Sequence, residues 1–494
     1  MSRTRSVIVV GAGSGGLAAA LDLAARGIAV TLLERHAAVG GKMRQVVIDG
    51  QGIDAGPTVF TMRWVFDDLF DEAGERFEDH VSLTRADLLA RHVWVDGTRL
   101  DLFSDIERSH AAITAAFGTA DADRYREFAQ ASERIFETLD LSFMRAQRPT
   151  PMGLARRVGI SGLPALLATK PFKTLWQDLQ AHFHDERLAQ LFARYATYCG
   201  SSPLAAPATL QLIAHAERAG VWYLDGGMQS LASAMADAIT AKGGQVRSNT
   251  PVADLLHHNG RITGVRLENG EALTADAVIF NGDTAALADG LMGDVARRAV
   301  PALPRQRESL SAMTWNLRAR TSGFPLAHHT VVFGEHYPKE FEAIFNSHDI
   351  CAQPTVYICA QDRADEQART DDYERLLVLI NAPAGTLSES QVMRAEAAMF
   401  EMLERVGVSL DYSQTQCVRT LPEDFDSLFP ATGGALYGRP THGAFGTFAR
   451  PGARAKLPGL YLAGGSVHPG AGVPMTAMSG RLAAACVRYD LGLS

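Results

Sequence analysis

The stretch Ser6–Arg44, SVIVVGAGSGGLAAALDLAARGIAVTLLERHAAVGGKMR, constrains this chain more than any other. Ser6–Val10 is a short apolar run with β-branched residues and reads as a buried parallel strand. Gly11-Ala12-Gly13-Ser14-Gly15-Gly16 follows, and Leu17 to Ala25 continues at helical spacing. That is G-x-G-x-x-G set between a strand and a helix. Gly11 permits the tight turn, Gly13 lets a pyrophosphate approach the backbone, and Gly16 lets helix and strand pack closely. Ala12, Ser14 and Gly15 fill out the loop, where free N–H groups and the positive helix end face phosphate. Ile28 to Leu33 reads as a second strand. Glu34 at its end stands where a carboxylate takes ribose hydroxyls. Strand, helix, second strand and acid agree, and they predict a bound dinucleotide.

A chain of 494 residues has enough apolar surface to bury for two or more domains. Its net charge of −8 gives no basic footprint for nucleic acid. Cys199, Cys351, Cys359, Cys417 and Cys486 are scattered and form no C-x-x-C. That argues against a disulfide framework, a zinc site or a dithiol redox pair, and no metal is expected. The first strand starts a few residues after Met1, which leaves no room for a signal peptide's apolar core. No run of about 18 uninterrupted apolar residues occurs to span a bilayer. The expectation is a protein on the cytoplasmic side, peripherally associated with a membrane surface.

Gly40-Gly41-Lys42-Met43-Arg44 resembles the second glycine loop of the large flavoprotein group, which favours FAD over NAD. Gly41, Lys42 and Arg44 would then lie close to the pyrophosphate and ring. Arg35 reads as an exposed partner beside Glu34. In Asp54-Ala55-Gly56-Pro57-Thr58, Gly56, Pro57 and Thr58 form a tight connection that brings backbone near a ring. Val93 to Leu100 reads as a hairpin around Asp96-Gly97, in a second sheet. Ile106 to Leu139 reads as one amphipathic helix. Gln229–Ala241 is a helix ending at Gly243-Gly244, and short strands joined by Asn259-Gly260 and Asn269-Gly270 follow. Val252, on the first of them, is where such domains touch adenine. Leu310 to Ala384 rejoins the second sheet, and Glu389 to Val406 is a long amphipathic helix.

The stretch Leu457–Val487 closes the nucleotide domain. Leu460–Ala463 is a short strand, Gly464-Gly465-Ser466 a turn, and Pro474 to Val487 a final helix. A flavin's pyrimidine side gains negative charge on reduction, so a helix N-terminus supplied by Met475, Thr476 and Ala477 would stabilise it, with Val473 just before it also expected at the cofactor. Gly465 stands where many flavoproteins place an aspartate on the ribityl chain.

The fold class expected is α/β: a Rossmann-type, GR2-like FAD-binding domain interleaved with a substrate domain that holds a second mixed β-sheet and a helical cap. The FAD-binding domain takes residues 1–75, 220–290 and 455–494. The substrate-domain sheet and helices take 76–105 and 291–454, and the cap takes 106–219. Within the cap, Leu141 to Gln177 has no acidic residue but carries Arg145, Arg148, Arg156, Arg157, Lys170 and Lys173 around apolar side chains. Such a stretch is too short to span and suits an anionic membrane surface, or else a core-packed helix pair. Pro164 and Pro171 are expected to interrupt any long helix there.

The opening stretch, DAGPT, RYATYCGSSP, GGMQSLASAMADAI and GLYLAGGSVHPGAGVP together resemble the bacterial-type carotenoid desaturases, the phytoene dehydrogenase family of FAD enzymes. The match spans nearly the whole chain, and His468-Pro469-Gly470-Ala471-Gly472-Val473-Pro474 is its most restrictive part. Within the family the chain looks most like the hydroxyneurosporene, or 1-hydroxycarotenoid 3,4-, desaturases of purple photosynthetic bacteria. Pro474-Met475-Thr476 departs from the Pro-Gly-Val usual in phytoene desaturases.

The resemblance implies hydride transfer to flavin N5 plus proton loss, a long apolar carotenoid as substrate, and an electron acceptor of unspecified kind. His468, near the flavin, is the leading candidate for the base, since a neutral imidazole is available near pH 7. An anchoring hydrogen bond is its alternative role. Arg145 and Arg148 are second candidates, for orienting a terminal hydroxyl or touching lipid headgroups. Three alternatives remain open: a phytoene desaturase, an amine-oxidase-like flavin oxidase, and a prenyl-lipid chaperone of related fold without cofactor.

Overall fold

The computed structural model describes residues 5–147, 149–301, 309–364 and 372–493. Parallel strands need crossover connections and both faces covered, and the apolar runs at both ends of the sequence meet that need. β1 (Ser6–Val10) pairs with β2 (Ala29–Leu33), and α1 (Ser14–Ala24) makes the crossover. β3 (Gln245–Arg247), β4 (Ala277–Phe280) and β5 (Leu460–Leu462) complete a five-stranded sheet in the order β3-β2-β1-β4-β5. All four pairings are parallel. The last strand therefore comes from the far end of the chain.

α2 (Met228–Ala241) and α3 (Val473–Leu491) pack with α1 in one apolar core. Every residue of α1 is buried. α3 lies against it with no side chain between them at the crossing. A Cβ on Gly480 would stand 1.9 Å from the Gly15 carbonyl oxygen and 3.0 Å from the Ala19 nitrogen.

The second sheet has eight strands. Its order runs Val408–Asp411, Ser311–Gly323, Glu374–Ala382, Val356–Ala360, His329–Phe333, Leu88–Trp94, Arg99–Phe103, with Cys417–Thr420 also paired to Ser311–Gly323. His329–Phe333 runs parallel to Leu88–Trp94, while its other neighbour is antiparallel, so the sheet is mixed as expected. Period-two alternation sorts its side chains. Leu376, Val378 and Ile380 pack on the helix Glu389–Arg405, while Leu377, Leu379 and Asn381 face a large cavity. A capping box of Ser388 and Gln391 starts that helix.

The cap differs from the sequence reading in two places. The single helix expected over 106–139 is two, Ile106–Phe117 and Thr119–Leu139, because Gly118 takes a φ of 93° between them. Pro151–Ala168 is one helix with a kink, and the break falls at Gly159 (φ 72°) instead of at Pro164. Of its residues only Leu154 is buried. No helix among the described residues is long and apolar enough to cross a membrane.

In an ordinary helix, replacing glycine by alanine stabilises by about 1 kcal/mol. At Gly480 the added methyl meets backbone on α1, so Gly480→Ala is expected to destabilise by roughly 1–3 kcal/mol. The sign of the change in a denaturant titration of the full chain checks this.

Candidate active site

A cavity of about 1070 Å³ runs between the two sheets. It exceeds the roughly 300–1,000 Å³ usual for one ligand, as a site for a dinucleotide plus a second molecule should. At one end its wall is glycine-rich backbone from three loops, containing Gly11 and Gly13, Gly40 and Gly41, and Gly464 and Gly465. Gly56 lets a further segment lie flat against them, since a Cβ there would stand 1.8 Å from the Lys42 carbonyl oxygen. Ser14 Oγ donates to the Val473 carbonyl at 3.0 Å, which ties the first turn of α1 to the start of α3 at the cavity wall. Two helix starts with free N–H groups suit phosphate and a ring that becomes negative on reduction.

Glu34 is buried, and its carboxylate accepts the Ala12 N–H at 2.8 Å and the His36 N–H at 2.9 Å. Each oxygen keeps a lone pair for a ribose hydroxyl. All the cofactor residues expected from the sequence line the cavity except Ala12 and Gly16. Ala12 orients Glu34. Gly16 packs underneath, where a Cβ would stand 2.0 Å from the Gly11 carbonyl oxygen. Arg35 is exposed at the rim. Lys42 donates to the Leu436 carbonyl and lies 5.3 Å above the Phe429 ring. Burial lowers its pKa to about 8, against the opposite pull of Asp283. The glycine cradle, the held carboxylate and the two helix starts fit FAD.

Three residues that the sequence reading passed over complete the cradle. Asn281 Nδ2 donates to the Gly11 carbonyl at 3.0 Å and so ties the first glycine loop to the end of β4. Asp54 accepts the Met228 N–H at 2.7 Å, satisfying the start of α2. Arg450 is buried and donates to the carbonyls of Gly465 at 2.5 Å and Arg439 at 2.6 Å. Asp54 was visible as the first residue of DAGPT. Arg450 follows no pattern that points to it.

Beyond the cradle the wall turns apolar, with Leu139, Phe143 and Leu154 from the cap and Leu377 and Leu379 from the sheet. Leu167, Phe172 and Phe445 line the cavity and are also 67%, 76% and 60% exposed, so the apolar chamber reaches the surface there. Polar side chains interrupt it, Asn381 and Thr355 among them, and two groups matter for the chemistry. Thr58 Oγ1 lies 2.7 Å from Tyr357 Oη, which lies 2.7 Å from His329 Nδ1. Arg194, Tyr198 and Glu217 form the other.

His468 is not part of the cavity wall, although Pro469 and Gly470 are. It is buried, with Nε2 3.0 Å from the Phe143 carbonyl and its ring edge-on to Phe143. This geometry favours the anchoring role, tying the C-terminal loop to the cap, over the role of base. Arg145 also stands outside the cavity, paired with Asp140 at 2.9 Å and stacked 3.8 Å over Trp64. Arg148 lies outside the described residues. The sequence reading expected no metal. The fold nevertheless brings ligand atoms of His328, His329 and Cys359 within 4.8 Å of one another. Tyr357 already occupies His329 Nδ1, and burial pushes the Cys359 thiol pKa well up, which keeps it protonated.

The family described as "Flavin containing amine oxidoreductase" matches residues 14–488. The chain is 50% identical over 487 residues to a hydroxyneurosporene desaturase of Rubrivivax gelatinosus, covering 98% of this chain and 93% of that one. It is 44% identical over 488 residues to a hydroxyneurosporene desaturase of Cereibacter sphaeroides, covering 98% of each. Among solved structures, putrescine oxidase bound to putrescine covers 99% of both chains at 17% identity and a TM-score of 0.60, a likeness of fold.

Glu34→Ala removes the carboxylate expected to accept ribose hydroxyls and frees two backbone donors. It should weaken FAD binding roughly 10- to 100-fold, read by equilibrium dialysis against flavin absorbance. Burial lowers the pKa of His468 to about 4 and those of His92 and His442 to about 3 and about 4. Between their ordinary value near 6.5 and about 4, the unfolded chain binds protons that the folded chain does not. Stability should therefore fall as pH drops through that window. His468→Gln should reduce the slope by about one proton, measured as denaturant stability against pH.

Proposed function

We propose that this chain, which belongs to the flavin containing amine oxidoreductase family, is an FAD-dependent carotenoid desaturase forming a C3–C4 double bond in acyclic 1-hydroxy or 1-methoxy carotenoids such as 1-hydroxyneurosporene. The observation that carries this reading is the continuity of one cavity. It leads from a dinucleotide cradle into an apolar chamber that opens through exposed apolar side chains.

FAD, when bound, supplies the two-electron acceptor that no side chain provides. The protein's own share is positioning and exclusion of water. Leu139, Phe143, Leu377 and Leu379 offer a long chain no polar contact, so it can slide until one C–C bond is held in place. The second hydrogen leaves as a proton beside a polyene that delocalises positive charge, and a weak acceptor suffices. Thr58 Oγ1 and Tyr357 Oη are polar atoms on the wall placed to take it up, with His329 Nδ1 behind them.

Such a substrate resides in a bilayer, and the mouth of the chamber suits one. Of the eleven large apolar side chains exposed among the described residues, six fall between Leu141 and Phe172. The basic residues there are not equivalent. Lys170 and Lys173 both pair with Asp178, at 2.7 and 3.1 Å, while Arg156 and Arg157 are exposed and have no carboxylate partner among the described residues. Those two arginines are the groups that would meet anionic headgroups.

FAD-loaded protein in liposomes, given 1-hydroxyneurosporene and phytoene separately, should lengthen the conjugated system of the first and leave the second unchanged, read from product absorption spectra. Conversion of phytoene alone overturns the substrate assignment. Arg156→Glu with Arg157→Glu should weaken binding to anionic vesicles at low salt by roughly tenfold or more. Undiminished binding removes the membrane role of this segment.

A further inference from the structure

An arginine buried in an apolar chamber requires a reason. Arg194 is 8% exposed and lines the cavity beside Tyr198 and Glu217. Glu217 Oε2 accepts from Tyr195 Oη at 2.6 Å, and Oε1 accepts from Tyr198 Oη at 2.5 Å. Arg194 Nη1 donates to Tyr198 Oη at 2.8 Å, and Nη2 stands 3.9 Å from Glu217 Oε1. Arg194 Nε is itself fully buried and has no hydrogen-bond partner among the described residues. Each carboxylate oxygen accepts one tyrosine hydroxyl, while Nη2 makes no hydrogen bond among the described residues beyond its 3.9 Å approach to Oε1, so the guanidinium keeps N–H capacity to donate. Burial works against that charge, but Tyr198 and Glu217 more than offset it and hold the guanidinium protonated. Taking a cation from water with a donor left over is costly, and an ion pair kept only for stability gains nothing from the unfilled N–H.

The place of the cluster fits a substrate contact. Arg194 lines the same cavity as Tyr357, whose hydroxyl lies 2.7 Å from Thr58. Thr58 belongs to the segment expected beside the flavin. In a 1-hydroxy chain the oxygen sits on C1, two carbons from C3. With bonds of about 1.5 Å it lies within roughly 4 Å of the bond to be desaturated. A group that holds this oxygen has to lie near the reacting end of the cavity, whose wall Arg194 shares with Thr58 and Tyr357.

We propose that Arg194, set in place by Tyr198 and Glu217, is the subsite for the oxygen of the carotenoid end group and donates a hydrogen bond to it. The subsite rests on the desaturase reading and refines it. The guanidinium offers donors and no acceptor, so it takes hydroxyl and ether oxygens alike. A hydrocarbon end leaves an N–H of the guanidinium unfilled and is disfavoured.

The test compares three ends on one acyclic chain, hydroxylated, methoxylated and hydrocarbon, with FAD-loaded full-length protein in vesicles. Wild type should prefer both oxygenated chains by roughly tenfold or more in kcat/KM. Arg194→Met should lower kcat/KM for those two roughly 10- to 100-fold and leave the hydrocarbon chain within about twofold. Arg194→Met with Glu217→Gln removes both charges and carries the same expectation if the single variant loses FAD or unfolds early. A variant that slows all three chains equally shows a structural role and overturns the subsite. So does a wild type that accepts the hydroxyl and refuses the ether. A wild type that desaturates none of the three removes the desaturase reading itself, and the subsite with it.

Discussion

The contact on which the rest of the structure depends is backbone against backbone, where α3 crosses α1 at Gly480 and Gly15. Because those helices touch without intervening side chains, β5 can pair with β4 and the loop before α3 comes to lie beside the first glycine loop. The hydrogen bond from Ser14 to Val473 is the visible result at the cavity wall. A nucleotide domain built from both ends of one chain forces the eight-stranded sheet and the cap into the space between. Its contacts are consequently far apart in sequence, the arrangement that slows folding, since long loops close before any contact rewards them.

The second sheet turns that enclosure into a chamber. Alternate residues of Glu374–Ala382 face the helix Glu389–Arg405 and the cavity, so one strand serves as core and as wall. An apolar wall also governs the electrostatics of what it encloses. Lys42 and Arg450 are held on backbone carbonyls, where burial lowers the pKa of each. Positive charge placed there by fixed dipoles requires no reorganisation when a neighbouring group becomes negative.

The cofactor half was legible in the sequence because its signals are local. A strand, a glycine turn, a helix and a carboxylate follow one another within a single crossover, and Asn259-Gly260 announces its own hairpin. Even the closure of the two ends could be read, from a strand, a turn and a helix start. What escaped was orientation and pairing across long separations. His468 has the right neighbours in sequence, but its ring turns to Phe143, 325 residues away, and only Pro469 and Gly470 reach the wall. Lys170 and Lys173 read as free charges until Asp178, just past the acid-free stretch, takes both. The tyrosines of RYATYC are buried or half-buried. Only the fold sets Glu217 among them and makes a polar site.

Those two features, an apolar mouth and a buried donor, together fix the direction in which a long substrate would be held. A hydroxyl leaving water for an apolar channel loses about 1–3 kcal/mol, and a hydrogen bond from a charged group returns about 1.5–3 kcal/mol. The oxygenated end therefore reaches Arg194 at little net cost, provided that it goes in first. A chain entered tail first leaves its hydroxyl among Leu167, Phe172 and Phe445 and leaves Arg194 with a donor unfilled, so both costs stand. The same two terms disfavour a hydrocarbon end, which avoids the first cost but cannot relieve the second. Selectivity for the end group and polarity of entry thus follow from one buried cation on the wall of a greasy channel.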